Sequence, residues 1–115
     1  MTHSSRVWSW FFQRISALYL LVGMIVHFSV LHFFKGDMPV NFNMVAERLS
    51  SPCWVIFDIS LLLTAVWHGW NGCWQILMDV NPAKTQRTIL GWLFVLSGIA
   101  AVGIGIAILI PMSRG

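Results

Sequence analysis

Three long apolar runs, over residues 7–34, 53–79 and 84–110, divide the chain, and its polar residues collect between them and at the ends. About 20 mostly apolar residues, rising about 1.5 Å each as a helix, cross a hydrocarbon core about 30 Å thick, and every run is long enough. The pattern predicts an all-α integral membrane protein, a single membrane domain over 1–115 with three transmembrane helices. "KGDMPVNFNMVAERLSSP" is the sizeable connection, and a short interfacial helix is expected within it over 42–49. Ser51 then Pro52 reads as an N-cap and first helical residue of the second span. Asn81 and Pro82 stop that span, since residues before proline avoid the α region. The third span is expected to end at Pro111.

Composition agrees: 57% of residues are hydrophobic and 10% charged, against about 25% charged in a soluble domain. The first run exceeds a signal-peptide core, carries Arg14 inside it and shows no small-residue cleavage site before Lys35 and Asp37, so it is expected to be mature chain. Cys53 and Cys73, about 30 Å apart along one helix, cannot pair. Arg6, Arg14, Lys84 and Arg87 share one side of the membrane; Lys35, Arg48 and Arg114 share the other. The excess of one basic residue favours a cytoplasmic N-terminus in a bacterial inner membrane, with Trp8, Trp10 and Trp92 at that interface. A lipid environment, and no nucleic acid, is expected around the chain.

At about 100° per residue, His68, Gly72, Gln75 and Asp79 form one stripe of the second span, which Thr64 and Leu61 continue outward. Asn71 is expected off the stripe, and Trp67, Trp70 and Trp74 on a lipid-facing or subunit-facing side. An ionisable residue in hydrocarbon needs a partner or a purpose. A neutral imidazole is a common iron ligand, and glycine one turn away lets a flat macrocycle or another helix come close. The plainer alternative is a histidine bonded to a neighbouring helix beside a packing notch.

His68-x3-Gly72-x6-Asp79, with "GCWQILMD", resembles the second helix of the haem-b membrane-anchor subunits of succinate dehydrogenase (complex II), closer to the D-type anchor than to the C-type; "FFQRISALYLL" resembles the entry to that family's first helix. The resemblance implies a place in a multi-subunit helix bundle with a second haem-binding anchor, an iron–sulfur subunit and a flavoprotein. It implies that His68 is one axial ligand of haem b, with Gly72 beside the macrocycle, and that Arg14 lies near haem and quinone. Asp79 matches the acidic residue near the pocket for ubiquinone or menaquinone. The family often has tyrosine after the aspartate; here it is Val80, and Asn81 offers an amide donor whose direction is open. Arg14 is otherwise a snorkelling arginine, and Asp79 an interfacial carboxylate paired with a basic residue.

His27 and His32 point about 140° apart, so both are not expected to face the bundle. His27 is expected to pair with Asp58, the sharper alternative being a second haem on His27. Ser97, Ala101 and Gly105, with Gly98 beside them, make a close-packing ridge for another helix. The chain lacks a nucleotide-binding glycine fingerprint and has too few cysteines for iron–sulfur clusters, so it is not expected to oxidise succinate itself. It is expected to serve electron transfer to quinone, the alternatives being the anchor of a fumarate reductase or a non-redox transporter or structural subunit.

Overall fold

Each apolar run folds as one continuous helix, because in hydrocarbon only internal bonding satisfies the backbone. The computed structural model describes residues 3–33 and 39–114. The helices are α1 (His3–His32), α2 (Phe42–Leu49), α3 (Pro52–Asp79) and α4 (Lys84–Arg114). Phe34, Lys35 and Asp37 lie outside the described residues. The three long helices are each apolar enough to cross a membrane.

The helix boundaries follow local chemistry. Asn41 caps α2 by accepting from the Met44 N–H at 2.9 Å. Ser51 precedes Pro52 in extended backbone, but its side chain makes no cap bond; its carbonyl accepts from Trp54 and Val55 instead. Asn81 takes the left-handed conformation, φ 52°, which asparagine tolerates better than most residues, and this turns the chain out of α3. The expected stop at Pro111 is wrong: α4 continues through it to Arg114. Proline forfeits one bond to the preceding turn, and where a single turn remains that loss does not end the helix.

The middle helix is α3. It packs on both α1 and α4, which do not touch each other, while α2 lies against α3 and α4. Bonds from Ser9 to Asn71 and from Tyr19 to Ser60 run α1 antiparallel to α3. Contacts from Trp70 to Ser97 and from Gly105 to Leu62 do the same for α4. The N-terminus of α1, the C-terminus of α3 and the N-terminus of α4 therefore share one end, called here the N-terminal end.

Small residues set the close approaches. A β-carbon at Gly23 would lie 2.6 Å from Leu61 Cδ2, and one at Gly105 would collide with the Leu62 side chain. The expected ridge of α4 is thus a packing face, and its partner is α3 of the same chain. That also corrects two of the three tryptophans, while Trp67 stays exposed as expected. Trp70 Nε1 donates to Ser97 Oγ at 2.7 Å, and Trp74 meets Phe94 edge-on at 5.7 Å, because α4 covers this side of α3. Substituting Gly105→Val should lower the unfolding free energy in lipid–detergent bicelles by about 1–3 kcal/mol through overpacking against Leu62; an unchanged value would show that the helices separate without cost.

Candidate functional site

His68 stands half-buried on the side of α3 that faces α1. Its Nδ1 lies 2.8 Å from Ser16 Oγ, and Ser16 Oγ also lies 3.0 Å from the backbone carbonyl of Gln13. A hydroxyl has one proton, and a carbonyl can only accept. Both contacts are bonds only when Ser16 donates to Gln13 and His68 Nδ1–H donates to Ser16. The neutral ring is then the Nδ1–H tautomer, whose Nε2 carries a lone pair with no protein partner among the described residues.

Below His68 the same interface is polar. Gln75 Nε2 donates to Ser9 Oγ at 3.2 Å, Ser9 Oγ to Asn71 Oδ1 at 3.0 Å, and Asn71 Nδ2 to Gln13 Oε1 at 2.8 Å. Gln13 Nε2 then donates to the His68 backbone carbonyl at 3.1 Å. Asn71, off the stripe by position as expected, joins this network through its side chain. Its side chain is long enough to reach round to α1, and α1 supplies Ser9 and Gln13 at the right heights. At Gly72 it is a helix that comes close: a β-carbon there would lie 2.9 Å from Gln13 Nε2. The glycine accommodates Gln13 on this flank.

At the N-terminal end a cavity of about 610 Å³ opens between α1, α3 and the start of α4, and Asp79, Gln75, Asn71, Ser9, Trp10 and Trp74 line it with Arg6, Asn81 and Arg87. Asp79, at the C-terminal end of α3, thus lines this cavity. Asn81 Oδ1 accepts from Arg87 Nη2 at 3.4 Å. Arginine only donates, so the contact orients the amide and leaves Asn81 Nδ2 as a donor. The open question about its direction is answered: Asn81 faces the cavity. Arg14 does not join Asp79 within this chain. It is exposed and its guanidinium sits 4.0 Å over the Trp10 ring, while Arg6 and Arg87 are the arginines that share the cavity with Asp79.

Toward the opposite end, Asp58 has a stronger partner than the one expected. Arg48 of α2 grips it in a fork, with Nη1 to Oδ1 at 3.2 Å and Nη2 to Oδ2 at 2.5 Å. His27 Nδ1 is also within ion-pair reach of Asp58 Oδ1, at 3.4 Å, yet makes no directed hydrogen bond. The planar guanidinium fits both carboxylate oxygens, so the imidazole is left with an off-line contact. His32 is exposed and stacks on Phe28 at 4.2 Å, so the two histidines do part company.

Sequence reasoning missed Ser9, Gln13 and Ser16, although their 4 and 3 spacing is the same stripe signature that drew attention to His68 and Gly72. Arg48 gave no such signal, since its partner lies ten residues away across a helix boundary. Among the described residues, no three or more His, Cys, Asp or Glu side chains gather as a metal cluster. A haem needs none, because the porphyrin supplies four nitrogens and the protein only an axial atom. The unprotonated Nε2 of His68 fits that demand.

Residues 1–105 match the family model described as succinate dehydrogenase/fumarate reductase transmembrane subunit. Three similar proteins carry the name succinate dehydrogenase hydrophobic membrane anchor subunit. One, from Archaeoglobus fulgidus, is 28% identical over 101 residues, which are 88% of this chain and 86% of its own. Another, from Thermoplasma acidophilum, is 28% identical over 81 residues, 70% of this chain and 66% of its own. A third, from Coxiella burnetii, is 32% identical over 81 residues, 70% and 68% of the two chains.

Proposed function

The chain belongs to the succinate dehydrogenase/fumarate reductase transmembrane-subunit family, and from that premise we propose how this anchor subunit takes part in passing electrons to quinone. His68 would hold a haem b shared with a partner anchor chain, in the D-type arrangement its motif resembles. A flavoprotein and an iron–sulfur subunit dock at the N-terminal end. The observation that carries the reading is the Nδ1 bond of His68, which leaves Nε2 as the metal-binding atom without desolvating an unpaired N–H. Arg14, exposed over Trp10, is available to a propionate through a bidentate contact. Bound haem supplies a one-electron carrier.

The cavity at the N-terminal end is the quinone site, for ubiquinone or menaquinone. Its aromatic walls, Trp10 and Trp74, suit a flat ring. Asn81 Nδ2 donates to a quinone oxygen, the role a tyrosine would take next to the aspartate, and Asp79 exchanges protons with the reduced ring from the water side. Arg6 and Arg87 line the same cavity as Asp79. The same residues serve quinol-driven fumarate reduction.

Orientation gains support from the buried pair. Arg48 is engaged with Asp58 inside the bundle, so it no longer counts as a loop charge. The basic residues then stand at Arg6, Arg14, Lys84 and Arg87 against Lys35 and Arg114, a balance that favours a cytoplasmic N-terminus. His27 is a partner of Asp58 in this reading and carries no haem.

Comparing succinate-driven quinone reduction with reduction of a soluble dye by the same purified complex tests the proposal. Asp79→Leu should slow the quinone reaction about a hundredfold, within the range that a positioned proton donor contributes. Asn81→Ala should weaken apparent quinone affinity. Both variants should leave dye reduction at the wild-type rate. Equal quinone rates in wild type and Asp79→Leu would remove the cavity from the pathway.

A further inference from the structure

A line of hydrogen bonds between α1 and α3 passes from Gln75 through Ser9, Asn71 and Gln13 to the backbone carbonyl of His68, and Ser16 meets the imidazole beside it. Ser16 is 7% exposed. Its hydroxyl is committed to the Gln13 carbonyl, so its oxygen meets Nδ1 as an acceptor. Turning the hydroxyl toward Nδ1 would set the Ser16 and Gln13 oxygens face to face at 3.0 Å without a proton between them, a loss of one hydrogen bond and a repulsive contact.

We propose that Ser16 is a positioning residue for His68: it selects the Nδ1–H tautomer, keeps Nε2 unprotonated, and so prepares the ring to bind a metal at Nε2. Gln13 works behind it. Its backbone carbonyl orders the Ser16 hydroxyl, and its side chain ties the His68 carbonyl to Asn71, so both the ring and the backbone of His68 are held from α1. That the metal is a haem iron rests on the function proposed above; the tautomer rests on the bonding alone.

A free imidazole favours the Nε2–H form, whose Nε2 has no lone pair for a metal. Removing the acceptor therefore returns His68 to the wrong tautomer. An outer-shell partner of this kind also raises the basicity of the ligating nitrogen, and its loss typically lowers metal affinity about tenfold or more.

The test begins with the full-length chain, labelled with 15N histidine and reconstituted without haem in lipid bilayers, where nitrogen shifts separate the two tautomers and His68→Gln assigns the signal. Wild type should show His68 almost wholly as Nδ1–H, Ser16→Thr should keep that form, and Ser16→Ala should convert most of it to Nε2–H. In the assembled complex, Ser16→Ala should release haem to an apo-globin acceptor about tenfold faster, should raise the haem midpoint potential, and Ser16→Thr should restore both. A wild-type His68 in the Nε2–H form, or a tautomer unchanged in Ser16→Ala, would overturn the proposal even if haem binds. The haem reading is judged separately: a b-type spectrum that survives His68→Ala defeats that reading and leaves the tautomer result to decide Ser16.

Discussion

Replacing His68 with alanine should abolish the b-type haem absorbance of the assembled complex, the largest single effect expected in this chain. The substitution removes the one imidazole whose Nδ1 is fixed and whose Nε2 is free. The other described histidines do not substitute. His3 lies exposed at the start of α1. His27 sits beside Asp58, and ten residues of α3 separate Asp58 from His68, about 15 Å along the helix axis. His32 is still further toward the same end. Stability should change far less than spectrum, since alanine is tolerated in a helix and the lost protein contact is the bond to Ser16. A reduced-minus-oxidised difference spectrum with haem quantified per chain reads the outcome directly. An unaltered absorbance and midpoint potential would take His68 out of the haem site.

Asp58→Ala should destabilise the subunit by about 3–5 kcal/mol, because it leaves the Arg48 guanidinium buried and uncompensated. Both residues are about 8% exposed, so water does little to screen or replace the pair. Had His27 been the sole partner, the effect would have been on the order of 1 kcal/mol, the scale of ordinary polar contacts between membrane helices. The pair also joins α2 to α3, and Trp54 adds a contact, its ring 5.1 Å from the Arg48 guanidinium. Its loss should free α2 from the bundle before α3 unfolds. Replacing both partners, Arg48→Met with Asp58→Leu, should recover most of the stability, because an apolar pair of similar volume carries no desolvation penalty. Unfolding in bicelles across this double-mutant cycle distinguishes the cases: a loss below about 1 kcal/mol in Asp58→Ala would mean that Arg48 reaches water or lipid headgroups instead.

Hydropathy located the three spans, and local sequence signals the short helix over 42–49 and the turn at Asn81 and Pro82, because these depend on local terms. An apolar segment in lipid must bond its own backbone, and a proline or a cap acts within one turn. The same locality explains the failure at Pro111, where the local penalty was real but too small to stop a helix already running. The stripe of α3 was also legible, since helical periodicity is a property of one segment, and the sequence pattern of His68, Gly72 and Asp79 carried the family resemblance that the comparisons bear out. Which neighbour each face meets was not legible. Trp70 and Trp74 read as outward until α4 covered them. Asn71 read as off the stripe until Ser9 and Gln13 reached it. Arg14 read as lying near haem and quinone, while Arg6 and Arg87 line the cavity beside Asp79, and Arg48 read only as a loop charge although its guanidinium grips Asp58 in a fork. Each of these contacts joins residues on different helices, and their pairing depends on the rotation and height of one rigid helix against another. Those are decided by packing, where a glycine such as Gly23 or Gly105 admits a leucine from α3 and sets the register to within a residue, and only the assembled tertiary structure holds that information.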